Sequence, residues 1–186
     1  MTERSTGALA RANTSARADA RDVVRAWLLP FVLGAVGFAL NALVKLPVQL
    51  PGHNALFWIT ALAFARLVSA NPLGGMTAGA GAIAFALAVD PLEGAEVAVA
   101  GIALDLALAL RRSPHVMWLP LAGIVANLAI LGAKTAVGDA PHAVSSRGLD
   151  VALASYAAFG ALGAAIAGLM ASMRSPTRPT GTRPQR

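Results

Sequence analysis

The sequence predicts an all-α integral membrane protein, a bundle of six short transmembrane helices with both termini on the cytoplasmic side. Three observations lead there. Of 186 residues, 56% are apolar and only 13% are charged, whereas a soluble domain carries about 25% charged residues. Too little polar surface remains to cover a water-facing globule. Six apolar runs approach the length of a bilayer crossing, about 20 residues with a range of about 17–25. Lys and Arg are divided unequally between the segments joining those runs, which is the bias that sets orientation in a membrane.

The first run, Val23–Val44, ends at Lys45-Leu46-Pro47 and is long enough to span. A secretory signal would have a shorter apolar core followed by a small-residue cleavage site. Residues 1–22 before it are polar and rich in Arg, Ala, Ser and Thr, and read as a disordered cytoplasmic tail. The second and third runs, Ala55–Ala70 and Leu73–Val89, are short and meet at Ser69-Ala70-Asn71-Pro72. Pro72 disfavours helix in the residue before it, so a tight turn is expected. A single re-entrant hairpin is the alternative, since non-helical backbone at depth is tolerated where protein buries it. The fourth run, Gly94–Leu110, is also short, and Val116–Val137 and Leu149–Met173 complete the set. Residues 174–186 hold Pro, Gly and Arg without an apolar run and read as a second disordered cytoplasmic tail. The predicted transmembrane domain is thus 23–173.

With the N-terminus inside, the inner segments hold twelve of the fifteen basic residues: those of the two ends together with Arg66, Arg111 and Arg112. The outer segments hold Lys45, Lys134 and Arg147 and carry Asp90, Glu93, Glu96, Asp139 and Asp150. An even number of spans places both Arg-rich ends on one side, so span count and charge bias agree. The expected location is the cell (plasma) membrane, with several passes.

The same inventory limits function. The net charge of +6 comes from the ends and short loops, without the aromatic–basic interleaving that stacks bases, so no nucleic-acid partner is expected. The absence of cysteine excludes disulfides, thiolate metal sites and Cys nucleophiles. No phosphate-cradling Gly-x-x-x-x-Gly-Lys-Ser/Thr occurs. Neither an enzyme nor a bound cofactor is expected.

Helices in lipid associate through close packing of small residues. Ala35 and Ala39, with Gly34 and Gly37 beside them, provide this in the first run. Gly75 and Gly79 with Ala78, Ala82 and Ala86 do so in the third, and Gly160, Ala164 and Gly168 in the sixth. Two ionisable residues stand at depth, where they are costly and face the interior. Arg66 and Asp105 each lie about eleven residues from the outer end of their run, roughly 16 Å down at 1.5 Å per residue. Equal depth and opposite charge predict a structural ion pair. A proton relay between them, or Arg66 reaching back to the inner surface, are the alternatives.

The outer half collects the candidate binding residues. Pro120, Gly123, Asn127 and Lys134 share one face of the fifth run by helical periodicity. Asn41 and Lys45 close the first run, His53, Asn54 and Trp58 follow in the first outer loop and beyond, Glu93 and Glu96 stand in the segment that joins the outer ends of the third and fourth runs, and Ser155 and Tyr156 lie two turns into the sixth. Convergent polar groups in an apolar wall describe a ligand cavity; ordinary polar loop ends, with Asn127 making one interhelical hydrogen bond, are the alternative. Lys134 with Glu93 or Glu96 closes the mouth or fixes an anionic solute. His53 and His142 lack further donors at metal-ligand spacing, so no metal is expected.

At the level of architecture, residues 23–173 resemble the substrate-binding (S) component of an energy-coupling factor transporter. The resemblance lies in Ala35-x-x-x-Ala39 of the first helix and in Ala61-Leu62-Ala63-Phe64-Ala65-Arg66 followed by Asn71-Pro72-Leu73-Gly74-Gly75-Met76-Thr77-Ala78-Gly79. It implies a six-helix protein that captures vitamins or metal ions from outside. It further implies that Ala35 and Ala39 dock on a transmembrane coupling subunit driven by cytoplasmic ATPases, and that substrate is held in the outer half. Residues 1–4 read Met-Thr-Glu-Arg, not the Met-His start of the cobalt and nickel members, so a vitamin-like solute is the expectation. A small channel or exchanger working through Asp105 and Arg66, or a membrane enzyme or assembly factor, are the competing classes.

Overall fold

The structure, a computed structural model, describes residues 19–44, 50–110, 118–138 and 148–174. Among them are six helices and no strand: α1 (Asp19–Leu43), α2 (Ala55–Val68), α3 (Gly74–Ala86), α4 (Pro91–Ala109), α5 (Trp118–Ala136) and α6 (Leu149–Arg174). Helices α1, α5 and α6 are long and apolar enough to cross a membrane. Helices α2 and α3 are apolar but have 14 and 13 residues, about 20 Å at 1.5 Å per residue against a hydrocarbon core of about 30 Å. Helix α4 has 19 residues and carries Glu93, Glu96 and Asp105.

Two helix starts differ from the sequence expectation. Helix α1 already includes Asp19, within the stretch 1–22 expected to be a tail; residues 1–18 and 175–186 lie outside the described residues. Helix α4 begins at Pro91, three residues earlier than Gly94. Asp90 is its N-cap and accepts from the amides of Leu92 and Glu93, each at 3.1 Å. Proline in the first turn loses no hydrogen bond, because the first amides of a helix have no internal partner. The cap brings Glu93 into the helix one turn ahead of Glu96, and Glu96 is only 4% exposed.

A proline also shapes α1. Pro30 has no N–H, so the carbonyl of Ala26 loses its usual donor four residues on. Over Val24–Leu28 the helix widens to a π turn, with the Leu29 amide bonded back to the Val24 carbonyl. The freed Ala26 carbonyl accepts from Ser69 Oγ at 3.2 Å, and Ser69 Oγ in turn accepts from the Asn71 amide at 3.0 Å. Asn71 Oδ1 accepts from the Leu73 amide at 2.9 Å. The α2–α3 turn, residues 69–73, is therefore tied to the widened turn of α1.

The helices form a closed ring in the order α1, α3, α4, α5, α6, α2, and α2 touches all five others. Close approach runs on small residues, as packing in lipid requires. A Cβ on Gly34 of α1 would strike the Ala78 backbone of α3, and one on Gly81 of α3 would strike the Phe31 backbone of α1. Gly75 and Gly79 of α3 oppose Gly101 and Ala98 of α4, and Gly123 of α5 and Gly160 of α6 face each other's carbonyls. The core inside the ring includes Phe38, Ile59, Leu62, Val97, Leu104 and Ile130. Outside it, Val36, Leu40, Ile102, Leu106, Leu121, Leu162 and Leu169 are exposed. An exposed apolar surface on this scale marks an interaction with membrane or partner, and it is consistent with association with a lipid bilayer.

Candidate functional site

The polar side chains buried in the bundle fall into two groups, one near each end. At the end predicted to face inward, Arg66 in the last turn of α2 meets Asp105 of α4, with Nε 3.2 Å from Oδ1. The guanidinium Nε–H is not aligned on the carboxylate, so this contact is Coulombic. Asp105 has two better partners: Oδ1 accepts from the Gly75 amide at 3.1 Å and Oδ2 from the Met76 amide at 2.7 Å. These are first-turn amides of α3, which has no side-chain cap of its own. Asp105 caps α3 from a neighbouring helix, where the partial positive charge of the helix start also favours an anion. Gly75 is necessary here, because a Cβ would collide with the carboxylate and with the Gly101 carbonyl.

At the end predicted to face outward, three helices contribute charged or amide groups. Lys134 Nζ of α5 lies 2.7 Å from Glu96 Oε1 of α4. Asn41 Nδ2 of α1 donates to Glu93 Oε1 of α4 at 3.0 Å. Glu93 is within electrostatic reach of both Glu96 and Lys134, so the four form one network. Deeper, Asn127 of α5 is fully buried and its Nδ2 donates to the Tyr156 carbonyl of α6 at 2.7 Å. The Tyr156 ring is buried and lies beneath Gly52, whose φ of 77° and lack of a Cβ let the first outer loop approach it.

Asn41 Oδ1, Trp58 Nε1 and Asn127 Oδ1 are among the buried polar atoms of this half that have no hydrogen-bond partner among the described residues. Neither amide can be turned to remove the deficit. Each places its NH2 on a group that only accepts, a carboxylate or a backbone carbonyl.

Other candidate residues do not join this group. Ser155 Oγ bonds the carbonyls of Val151 and Ala152 in its own helix, at 2.6 and 3.2 Å. His53 Nδ1 sits 2.6 Å from the Leu50 carbonyl of its own turn. Asn54 is exposed where α2 begins and makes no side-chain cap. Lys45 and His142 lie outside the described residues. Among the described residues no three His, Cys, Asp or Glu side chains gather into a metal-holding group. On α1, Gly34 and Gly37 point into the bundle, Val36 and Leu40 point out, and Ala35 and Ala39 are half-buried between them.

Sequence reasoning missed the Asp105 cap on α3 and the Ser69 bridge to Ala26. A signal existed for each: α3 opens on Gly74-Gly75 with no capping residue of its own, and Pro30 stands inside an apolar run. No family model, no curated protein and no solved structure matches the chain.

Proposed function

We propose that this chain is the solute-binding subunit of an uptake transporter. In this reading it crosses the cell membrane six times with both termini inside. It captures a small, vitamin-like molecule in its outer half and relies on a separate transmembrane coupling subunit and cytoplasmic ATPases for movement. The edge of α1 bearing Ala35 and Ala39 is the docking line for the coupling subunit.

The observation that carries the reading is the absence of a hydrogen-bond partner, among the described residues, for the buried atoms Asn41 Oδ1, Trp58 Nε1 and Asn127 Oδ1. Buried polar groups are nearly always paired, and each one left unmet costs about 1–3 kcal/mol. Together they suit a solute that brings one acceptor, for the Trp58 N–H, and two donors. The Glu96–Lys134 and Asn41–Glu93 contacts hold α1, α4 and α5 in register around it. The exchanger alternative draws less support, because both oxygens of Asp105 are committed to the start of α3.

Native mass spectrometry of the protein, purified in mild detergent, tests the proposal. A small molecule should be carried by the native chain and lost from a Trp58→Phe/Asn127→Leu variant. A native chain that carries none, and whose unfolding temperature responds to no compound in a vitamin panel, would overturn it.

A further inference from the structure

A groove of about 570 Å³ opens at the inner end, between α1, the α2–α3 turn and the last turn of α6. Arg25, Leu29, Val68, Ser69, Ser172 and Arg174 are among the residues that line it. Its shape follows from Pro30: the widened turn of α1 carries Arg25, and the Ser69 hydroxyl pins the α2–α3 turn against that turn. Two guanidinium groups thus face one concavity from different helices. Among the described residues neither has a carboxylate partner. Arg25 also borders an adjoining concavity with Arg21, one turn earlier. The acidic residues of this stretch, Asp19 and Asp22, are exposed on α1 and do not line either concavity.

The surroundings are apolar. Val24, Trp27 and Leu28 of α1 and Leu169, Met170 and Met173 of α6, close in sequence to residues that line the groove, are all exposed. A tryptophan beside arginines where an apolar belt ends is the pattern of a membrane–water boundary. Basic pockets between helices at the cytoplasmic boundary suit anionic headgroups, and the guanidinium fork matches phosphate oxygens two at a time.

We propose that this groove binds the phosphate headgroup of an anionic phospholipid, with Arg25 and Arg174 on the phosphate and the acyl chains along the exposed faces of α1 and α6. The inference rests on the membrane setting and inward orientation of the proposed function, and not on its solute site.

The test uses the full chain in neutral detergent, titrated in parallel with short-chain phosphatidylglycerol, short-chain phosphatidylcholine and inorganic phosphate, and read by native mass spectrometry and thermal unfolding. Phosphatidylglycerol should bind more tightly than phosphatidylcholine. An Arg25→Gln/Arg174→Gln variant should weaken it about 25-fold, roughly fivefold per arginine, and leave phosphatidylcholine unchanged. Arg25→Lys/Arg174→Lys should recover most of the preference, which separates lost charge from lost folding. Asn127→Leu should keep the lipid preference even if solute binding fails, so the two proposals fail separately. Equal binding of the two lipids, unchanged phosphatidylglycerol binding in the glutamine variant, or displacement of the lipid by inorganic phosphate at equal concentration would each overturn the proposal. So would an acidic protein partner that occupies the groove of a chain indifferent to lipid charge.

Discussion

The two buried polar centres of this bundle use similar residues to opposite ends. At the inner centre, the Asp105 carboxylate meets two backbone amides and a guanidinium. It completes the start of α3, and neither of its oxygens is left over. At the outer centre, Asn41, Trp58 and Asn127 each keep one buried polar atom without a partner among the described residues. A satisfied buried network fixes structure, whereas an unsatisfied one costs stability in the free protein. The difference teaches where to look for function: in the centre with capacity to spare, not in the one with the more conspicuous charges. The contrast is not absolute, because the inner end leaves both Asn71 Nδ2 and Arg66 Nε without a hydrogen bond. The first belongs to the turn, and the second faces the Asp105 carboxylate at 3.2 Å as a Coulombic partner.

Breaking the inner centre should have the largest effect on folding. Asp105→Ala strips the cap from α3 and strands Arg66, and breaking a buried pair in this way costs about 3–5 kcal/mol. Thermal unfolding in detergent should show a large drop, with solute retention falling only as the folded fraction falls. Arg66→Gln should cost less, about 1–3 kcal/mol, because Asp105 keeps its two amide donors. Equal losses for the two variants would mean that the ion pair, and not the cap, holds this end together.

Changes at the outer centre should divide differently. Asn127→Leu gives up the bond to the Tyr156 carbonyl but also removes an unmet buried oxygen. The net stability change should stay within about 1 kcal/mol, while bound solute is lost. Trp58→Phe should have the smallest effect: unfolding nearly unchanged and solute affinity down about fivefold, the worth of one neutral hydrogen bond of about 1 kcal/mol. A large destabilisation by Trp58→Phe, measured by thermal unfolding, would instead assign the indole a purely structural part.

Much of the helical organisation was legible because hydropathy is a sum over many residues, so single misreadings do not displace a run. The meeting of Arg66 and Asp105 was legible from depth alone: two opposite charges at one level of an apolar medium have few other places to go. The small-residue faces of the first, third and sixth runs were legible too, but their partners were not. Nothing local in Gly75 names Gly101, or in Gly160 names Gly123. Helix starts were less legible where a first turn is charged and so falls outside the apolar run. Asp90-Pro91-Leu92-Glu93 is an N-cap followed by a first turn, and reading it as loop left the Glu96 carboxylate near solvent when it is buried against Lys134. Pro30 likewise acts at a distance, through a carbonyl that finds its donor on Ser69, 43 residues along the chain.

The most direct test is an add-back experiment. Small molecules extracted from the purified native chain are returned to stripped native protein, to Arg66→Gln and to the Trp58→Phe/Asn127→Leu variant, and unfolding temperature is followed. The account predicts that the extract stabilises the native chain and Arg66→Gln alike and leaves the outer-centre variant unmoved. An equal shift in all three, or none in the native chain, would contradict it.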